Sequence, residues 1–187
     1  MPTYSGGINR QRILTRKLTY AGLFLAIALI LPFITGQIPE IGAMLSPMHI
    51  PVLLCGFLCG WPWGLMVGFI SPLLRGFLFG MPILMPTGTA MAFEMAAYGA
   101  VSGILYKILP NRKWIVYPVL VIAMICGRVV WGIAESVIAG ITHTDFPMDA
   151  FIAGAVTKAI PGIILHIALI PVLVMSMERA GLSLNRQ

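Results

Sequence analysis

The chain has 187 residues, of which 59% are hydrophobic and 10% charged, and its formal net charge is +6. Soluble domains have about 25% charged residues, so this composition excludes an ordinary soluble protein and predicts an integral membrane protein. The basic residues lie in small groups at the ends of apolar segments, which argues against nucleic-acid binding. Because a spanning helix needs about 20 residues, the length allows about six spans and no soluble domain.

The N-terminal part predicts a basic segment followed by a retained helix. Residues 1–17 are polar and carry four basic side chains, whereas 18–35 form an apolar run that is too long for the core of a signal peptide. Within this run, Gly22 and Ala26 form a small-xxx-small pair, a spacing that lets another helix approach closely in lipid. From spacing alone, internal packing against a neighbouring helix is the favoured interpretation of the pair.

Five more apolar segments follow a loop of mixed polarity at 36–47, which could fold over the mouth of a bundle. The turn Trp61, Pro62 and Trp63 suits a membrane interface, and Pro72 is expected to kink the third helix. We therefore predict an all-α bundle of six transmembrane helices over 18–177, with a tail at 178–187. Helices 2 to 6 are expected at about 48–60, 64–80, 87–109, 114–140 and 150–177.

The distribution of basic residues supports six spans and predicts their orientation. Six spans place both termini, the turn between helices 2 and 3 and the loop between helices 4 and 5 on one side of the membrane. That side has nine lysines and arginines before helix 1, around the loop between helices 4 and 5 and in the tail, and the other side has none. By the positive-inside rule, both termini are expected to be cytoplasmic.

Five charged residues are expected within the membrane, away from the helix ends, namely Arg75, Glu94, Arg128, Glu135 and Lys158. At 1.5 Å per residue, four of them lie in the outer half of the membrane, and Arg128 lies deeper, near the midplane. Intramembrane charges are costly and are functional candidates by default, although mutual pairing could also explain them. Three cations and two anions leave one excess positive charge, which would suit an anionic ligand.

Other side chains extend this candidate site. Tyr98 lies four residues after Glu94 and Trp131 three after Arg128, so each shares a helix face with a charged residue. His49 lies where the first outer loop meets helix 2, whereas His166 alone is better explained as a packed, hydrogen-bonded residue. Aromatic and apolar walls around a few polar groups are typical of a small-molecule site.

Several kinds of chemistry lack their sequence signatures. No metal-ligand cluster, phosphate-binding loop or hydrolase motif is visible, which argues against an enzyme and against ATP hydrolysis by this chain. Cys55 and Cys59 are four residues apart, which is neither a redox nor a zinc spacing, so packing explains them and Cys126.

The sequence resembles the substrate-binding S component of energy-coupling factor (ECF) vitamin transporters. The stretches that carry the resemblance are LTYAGLFLAIALILP at 18–32 and PMHIPVLLCGFLCGWPWGLMVGFISPLLRGF at 47–77. The resemblance implies a subunit in a bacterial cell membrane that captures a vitamin or precursor from outside. It also implies a transmembrane coupling subunit and two ATPase subunits as partners, with ATP used by the latter and no cofactor in this chain.

The resemblance further implies roles for particular residues. Gly22 and Ala26 match the family's AxxxA contact with the coupling subunit, with glycine in place of the first alanine. The family binds substrate in the outer half of the bundle, which fits Glu94, Tyr98, Trp131, Glu135 and Lys158 better than Arg75. The complete set of candidate substrate-binding residues is His49, Arg75, Glu94, Tyr98, Arg128, Trp131, Glu135 and Lys158.

This set leaves the substrate and two other classes of protein open. A pantothenate-like anion is slightly favoured by the excess positive charge, but the glutamates could hold a neutral ring compound related to pyridoxine or thiamine. Release inward would follow closure of the 36–47 loop and tipping of the bundle against the coupling subunit. The alternatives are a standalone proton-coupled carrier, using Glu94 or Glu135, and a small intramembrane enzyme.

Overall fold

The structure is a computed structural model that describes residues 5–34, 44–110, 112–142 and 159–185. Within these ranges the chain is helical and contains no β-strand. A π-helical turn, Leu84–Gly88, precedes the fourth helix, and a 3₁₀ turn, Lys113–Ile115, precedes the fifth. The six main helices are α1 (Ser5–Ile34), α2 (His49–Cys59), α3 (Trp61–Phe79), α4 (Thr89–Ile108), α5 (Val116–Thr142) and α6 (Ile160–Arg179).

Four of these helices are long and apolar enough to cross a membrane, by length and composition alone: they lie at Arg10–Ile34, Trp61–Phe79, Lys113–Thr142 and Ile160–Arg179. The six helices fit the predicted number, but α2 has only 11 residues and is too short to span by itself. Large apolar side chains lie exposed on the outer surface of the bundle, as expected for lipid contact. The chain is therefore a multi-pass membrane protein.

α1 differs from its sequence prediction in two respects. It begins at Ser5 rather than near residue 18, so the basic segment continues the helix. It packs on α2 and α3 through a face that includes Ala21, Phe24 and Ala28. Gly22 and Ala26 instead lie on the exposed face, and a Cβ added at Gly22 would meet nothing within 4 Å. The prediction of internal packing for this pair is therefore wrong.

The bundle is organised around α4, which packs against α2, α3 and α5. Glycines bring α4 very close to α3, since a Cβ at Gly99 would overlap the backbone of Gly64 and one at Gly68 would overlap the backbone at Met95. Small residues at such crossings let helix backbones approach and gain van der Waals contact in lipid. α4 is thereby enclosed, which explains how it can carry polar residues along a buried face.

The C-terminal tail closes one end of the bundle. The backbone N–H of Leu184 donates to Leu58 O at 2.7 Å, and Asn185 Nδ2 donates to Gly103 O at 3.1 Å. Leu184 is fully buried, and Tyr106 O–H donates to Glu178 Oε1 at 2.6 Å nearby. The C-terminal tail and the end of α2 thus meet at this end, and the polar cluster described next lies at the other.

Candidate functional site: a buried polar cluster around Glu94

The centre of the site is a carboxylate and a phenol on one face of α4. Glu94 and Tyr98 are one helical turn apart, and both are buried, with 3% and 1% of their surface exposed. Tyr98 O–H donates a hydrogen bond of 2.8 Å to Glu94 Oε1. The shared helix face predicted from the spacing of four residues is therefore confirmed.

Arg128 brings a positive charge to this carboxylate from α5. Its Nη1 donates to Glu94 Oε1 over 3.0 Å, and its side chain is 21% exposed. The neighbouring Gly127 makes room for the Tyr98 ring, because a Cβ at this position would overlap the ring. Residue counting along the helices predicts that Arg128 lies deeper than Glu94, whereas the structure joins them, since a long arginine side chain can extend well away from its own backbone level. The ion pair makes this part of the site electrically balanced.

His49 adds an imidazole from the beginning of α2. Its Nδ1 lies 3.2 Å from Ser46 O, and its ring centroid lies 5.2 Å from that of Tyr98. Its Nε2 lies 3.8 Å from Glu94 Oε2, which exceeds the length of a direct hydrogen bond. His49 is 3% exposed, and its Nε2 has no hydrogen-bond partner within the described ranges.

His166 of α6 is a member of the cluster that the sequence analysis did not assign to the site. Its ring stacks beside that of His49, with centroids 6.0 Å apart and an interplanar angle of 29°. It is 3% exposed, and its Nε2 also lacks a partner among the residues described. Depth estimated from residue counting gave no reason to select it, because its nearest polar neighbours come from α2 and the loop before it.

The remaining predicted residues on α5 and α6 are placed only in part. Glu135 is buried, with 8% exposed, and makes no ion pair or hydrogen bond with the residues that the structure describes. Trp131 is half-buried on α5. Lys158 lies outside the described residues. The structure thus joins His49, Glu94, Tyr98 and Arg128 in one cluster.

Arg75 makes its contacts in a different part of the bundle. Its Nη1 donates to Leu29 O of α1 at 2.7 Å, and its guanidinium lies 5.0 Å from the ring centroid of Phe33 and 5.6 Å from that of Phe79. These partners belong to α1 and α3, whereas the partners of Glu94 belong to α2, α4 and α5. Arg75 therefore links two helices and is stabilised by a carbonyl and two aromatic rings.

The cluster has the form of a small-molecule binding site. In the described part of the chain, no group of three or more His, Cys, Asp or Glu residues could hold a metal ion. The buried nitrogen atoms that lack partners there include Arg128 Nε in addition to the two histidine Nε2 atoms. Buried polar groups are normally hydrogen-bonded, so such atoms indicate a place for a ligand or water. Balanced charges, aromatic rings and unused polar atoms together favour binding over catalysis.

Comparison with known families supports this interpretation. A family model described as the substrate-specific component of ECF transporters matches residues 16–174. The chain belongs to this family. ECF substrate-specific components are substrate-binding subunits of membrane transporters, so the resemblance seen in the sequence is confirmed. Comparisons with curated proteins and with solved structures give no match.

Membership accounts for the broad features of this ECF component. The match covers α2 to α5 completely and most of α1 and α6. A transport subunit of this family associates with an energy-coupling module of transmembrane and ATPase subunits. Exposed apolar side chains and a buried polar cluster agree with a membrane subunit that binds substrate.

Proposed function

We propose that the chain captures a water-soluble vitamin or vitamin precursor for an ATP-driven ECF importer in a bacterial cell membrane. The observation that carries the proposal is the buried cluster of His49, Glu94, Tyr98 and Arg128, which combines helices α2, α4 and α5 at one end of the bundle. Both termini are placed in the cytoplasm by the positive-inside rule, so the cluster faces outward. Ligand would enter from the outer side.

The site proposed here differs slightly from the set expected from sequence. Arg75 is left out because its guanidinium donates to the carbonyl of Leu29 and lies over the rings of Phe33 and Phe79. Trp131, Glu135 and Lys158 remain proposed walls of the pocket, since they follow Arg128 on α5 or precede α6. A pantothenate-like anion would depend on Lys158, because Arg128 is already paired with Glu94. A neutral or cationic ring compound needs no such additional cation.

The exposed pair on α1 is the proposed contact with the coupling subunit. Gly22 and Ala26 lie on the outer face of α1, where small residues would let a partner helix approach. Release of ligand would follow tipping of the bundle against that subunit, after the 36–47 loop closes; residues 35–43 lie outside the described part. The end of this loop contacts the cluster, since Ser46 O is bonded to His49.

Purification and mass spectrometry test the capture function. Protein purified in mild detergent should co-purify with a transmembrane coupling subunit and two ATPase subunits, and mass spectrometry should identify a small molecule that it retains. Glu94→Ala should lose that molecule, whereas Arg75→Ala should keep it. Uptake by the isolated chain, driven by a pH gradient, would instead establish a proton-coupled carrier and overturn the proposal.

Matched glycine variants test the coupling face separately. Gly22→Leu should abolish ATP-dependent uptake and leave ligand binding unchanged, because leucine fits lipid but would hold the partner helix away. Gly140→Leu is the control, since Gly140 on α5 is also exposed with nothing within 4 Å of an added Cβ. Equal uptake by the two variants would show that the α1 face is not the coupling contact.

A further inference from the structure

Glu135 lies on the face of α5 that packs against α4. The buried residues of α5 recur every three or four positions, as expected for one face of a helix, and Gly127, Glu135 and Ile138 all belong to this series. Gly127 lies against the Tyr98 ring of α4. Because Glu135 is buried on the same face, its carboxylate is directed into the bundle rather than toward lipid.

The pairing of α4 with α5 places Glu135 beyond the Glu94 cluster, farther from the C-terminal tail. The two helices are antiparallel neighbours, and Tyr98 meets Gly127 at one level. Glu135 follows Gly127 by eight residues, and Ala90 precedes Tyr98 by eight residues on α4. At 1.5 Å per residue, Glu135 and Ala90 therefore share a level about 6 Å beyond that of Glu94.

Glu135 has no counter-ion in the part of the chain that the structure describes. Ala90, the residue of α4 at this level, is fully buried and has no polar atom in its side chain. The guanidinium of Arg128 and the imidazole of His49 both lie next to Glu94 instead. Glu135 keeps only 8% of its surface exposed. Buried charges are normally paired, so this carboxylate indicates a place for a cation.

The direction of the side chains brings this place into the candidate site. Side chains lean toward the N-terminus of their own helix. On antiparallel helices, Glu94 therefore leans away from the C-terminal tail, whereas Glu135 leans toward it. Trp131 lies one turn before Glu135 on the same face of α5 and thus at the level of Glu94. An aromatic side chain beside an unpaired carboxylate is a favourable environment for an organic cation.

We propose that Glu135 binds a cationic group of the ligand, so that the ligand carries a positively charged nitrogen. The proposal rests on the capture function above and names the chemical class of its substrate. An ammonium group or a charged ring nitrogen would supply the missing counter-ion, and an N–H on it would donate to the carboxylate. An anionic ligand would instead bring a second negative charge next to Glu135.

The charge of the retained molecule is the first test. Mass spectrometry of the full-length protein purified in detergent should identify a molecule with a cationic nitrogen. Glu135→Gln should weaken its binding about tenfold or more, because a charge-assisted contact is lost from a buried site. Glu135→Asp keeps the charge and should retain part of the affinity. A retained molecule without a cationic group would overturn the proposal.

Paired probes separate a ligand-binding role of Glu135 from a structural one. 1-Methylnicotinamide and nicotinamide, and pyridoxamine and pyridoxine, are similar in size within each pair and differ by one positive charge. In the parent protein, the cationic member of each pair should displace the retained molecule more strongly, and Glu135→Gln should remove that preference. Equal displacement by both members in the parent protein, or a preference that survives in Glu135→Gln, would contradict the proposal.

Infrared difference spectra test whether a proton, rather than the ligand, neutralises Glu135. Carboxylate bands that disappear in Glu135→Gln should be present in the ligand-bound parent protein, because an ionised Glu135 is the partner of the cation. A carbonyl band of a protonated carboxyl group in the bound state, lost in the same variant, would overturn the proposal.

Lys158 is a second possible source of the positive charge, and it lies outside the described residues. If Lys158 were the counter-ion of Glu135, the preference for cationic probes would appear only after Lys158→Gln, and this result would overturn the inference. Absence of the preference would leave the capture function standing. Failure to co-purify with the coupling and ATPase subunits would overturn the capture function alone and leave the preference for cations unaffected.

Discussion

The ion pair between Glu94 and Arg128 gives the most quantitative prediction. Glu94→Gln keeps the size of the side chain and an oxygen acceptor for Tyr98, but it removes the negative charge and replaces the second oxygen by an NH2 group. Arg128 would then be a partly buried cation without its counter-ion. Removing one partner of a buried pair costs about 3–5 kcal/mol. Because the Arg128 side chain keeps 21% of its surface exposed, we expect a loss of about 2–3 kcal/mol in the free energy of unfolding.

A double-mutant cycle isolates this contribution. Arg128→Met in the Glu94→Gln background removes the unpaired cation, so the double variant should regain at least about 1 kcal/mol relative to Glu94→Gln alone. Glu135→Gln is a matched control, since this buried carboxylate makes no ion pair with described residues. The substitution should therefore change the free energy of unfolding little.

Reversible unfolding in mixed micelles, followed by circular dichroism, measures the free energies of unfolding of the parent protein, Glu94→Gln, Arg128→Met and the double variant. The four tryptophans provide a second signal by fluorescence. If Glu94→Gln and Glu135→Gln reduce the free energy of unfolding by equally small amounts, the ion pair does not stabilise the cluster. The same conclusion follows if the double variant loses more stability than the two single variants together. Charge balance would then not contribute to the stability of the cluster.

Three further variants test other contacts by the same unfolding measurement. Gly127→Ala should destabilise by about 1–3 kcal/mol because its methyl group would overlap the Tyr98 ring; Gly140→Ala, at an open helical position, should instead be neutral or stabilising, and the same sign in both would contradict the packing. Arg75→Gln should cost about 1–3 kcal/mol through loss of its carbonyl and aromatic contacts but leave ligand affinity within about twofold; a larger loss of affinity would return Arg75 to the site. Asn185→Ala and Asn185→Asp should each cost about 1–2 kcal/mol because both remove the amide donor; wild-type stability in either would show that the tail does not fasten the bundle.

The sequence predicted the class of protein because membrane insertion acts on local composition. Apolar length identified the helices, and the basic residues at their ends gave an orientation that can be tested. The spacing of Glu94 and Tyr98 predicted their shared face, since i and i+4 neighbours meet on any helix. The same spacing continues through Ser102 and Tyr106, both buried, and this longer polar stripe could also have been read from the sequence.

Contacts between helices could not be obtained in this way. Rotation of α1 about its axis turned Gly22 and Ala26 outward, and residue counting along separate helices did not show that Arg128 reaches Glu94. The intramembrane charges alone determined that polar groups had to be buried somewhere in this bundle. Tertiary packing decided that Arg75 contacts α1 while His166 joins the cluster. The rotation of each helix and the reach of long side chains determine which residues meet, and neither can be read from the linear sequence.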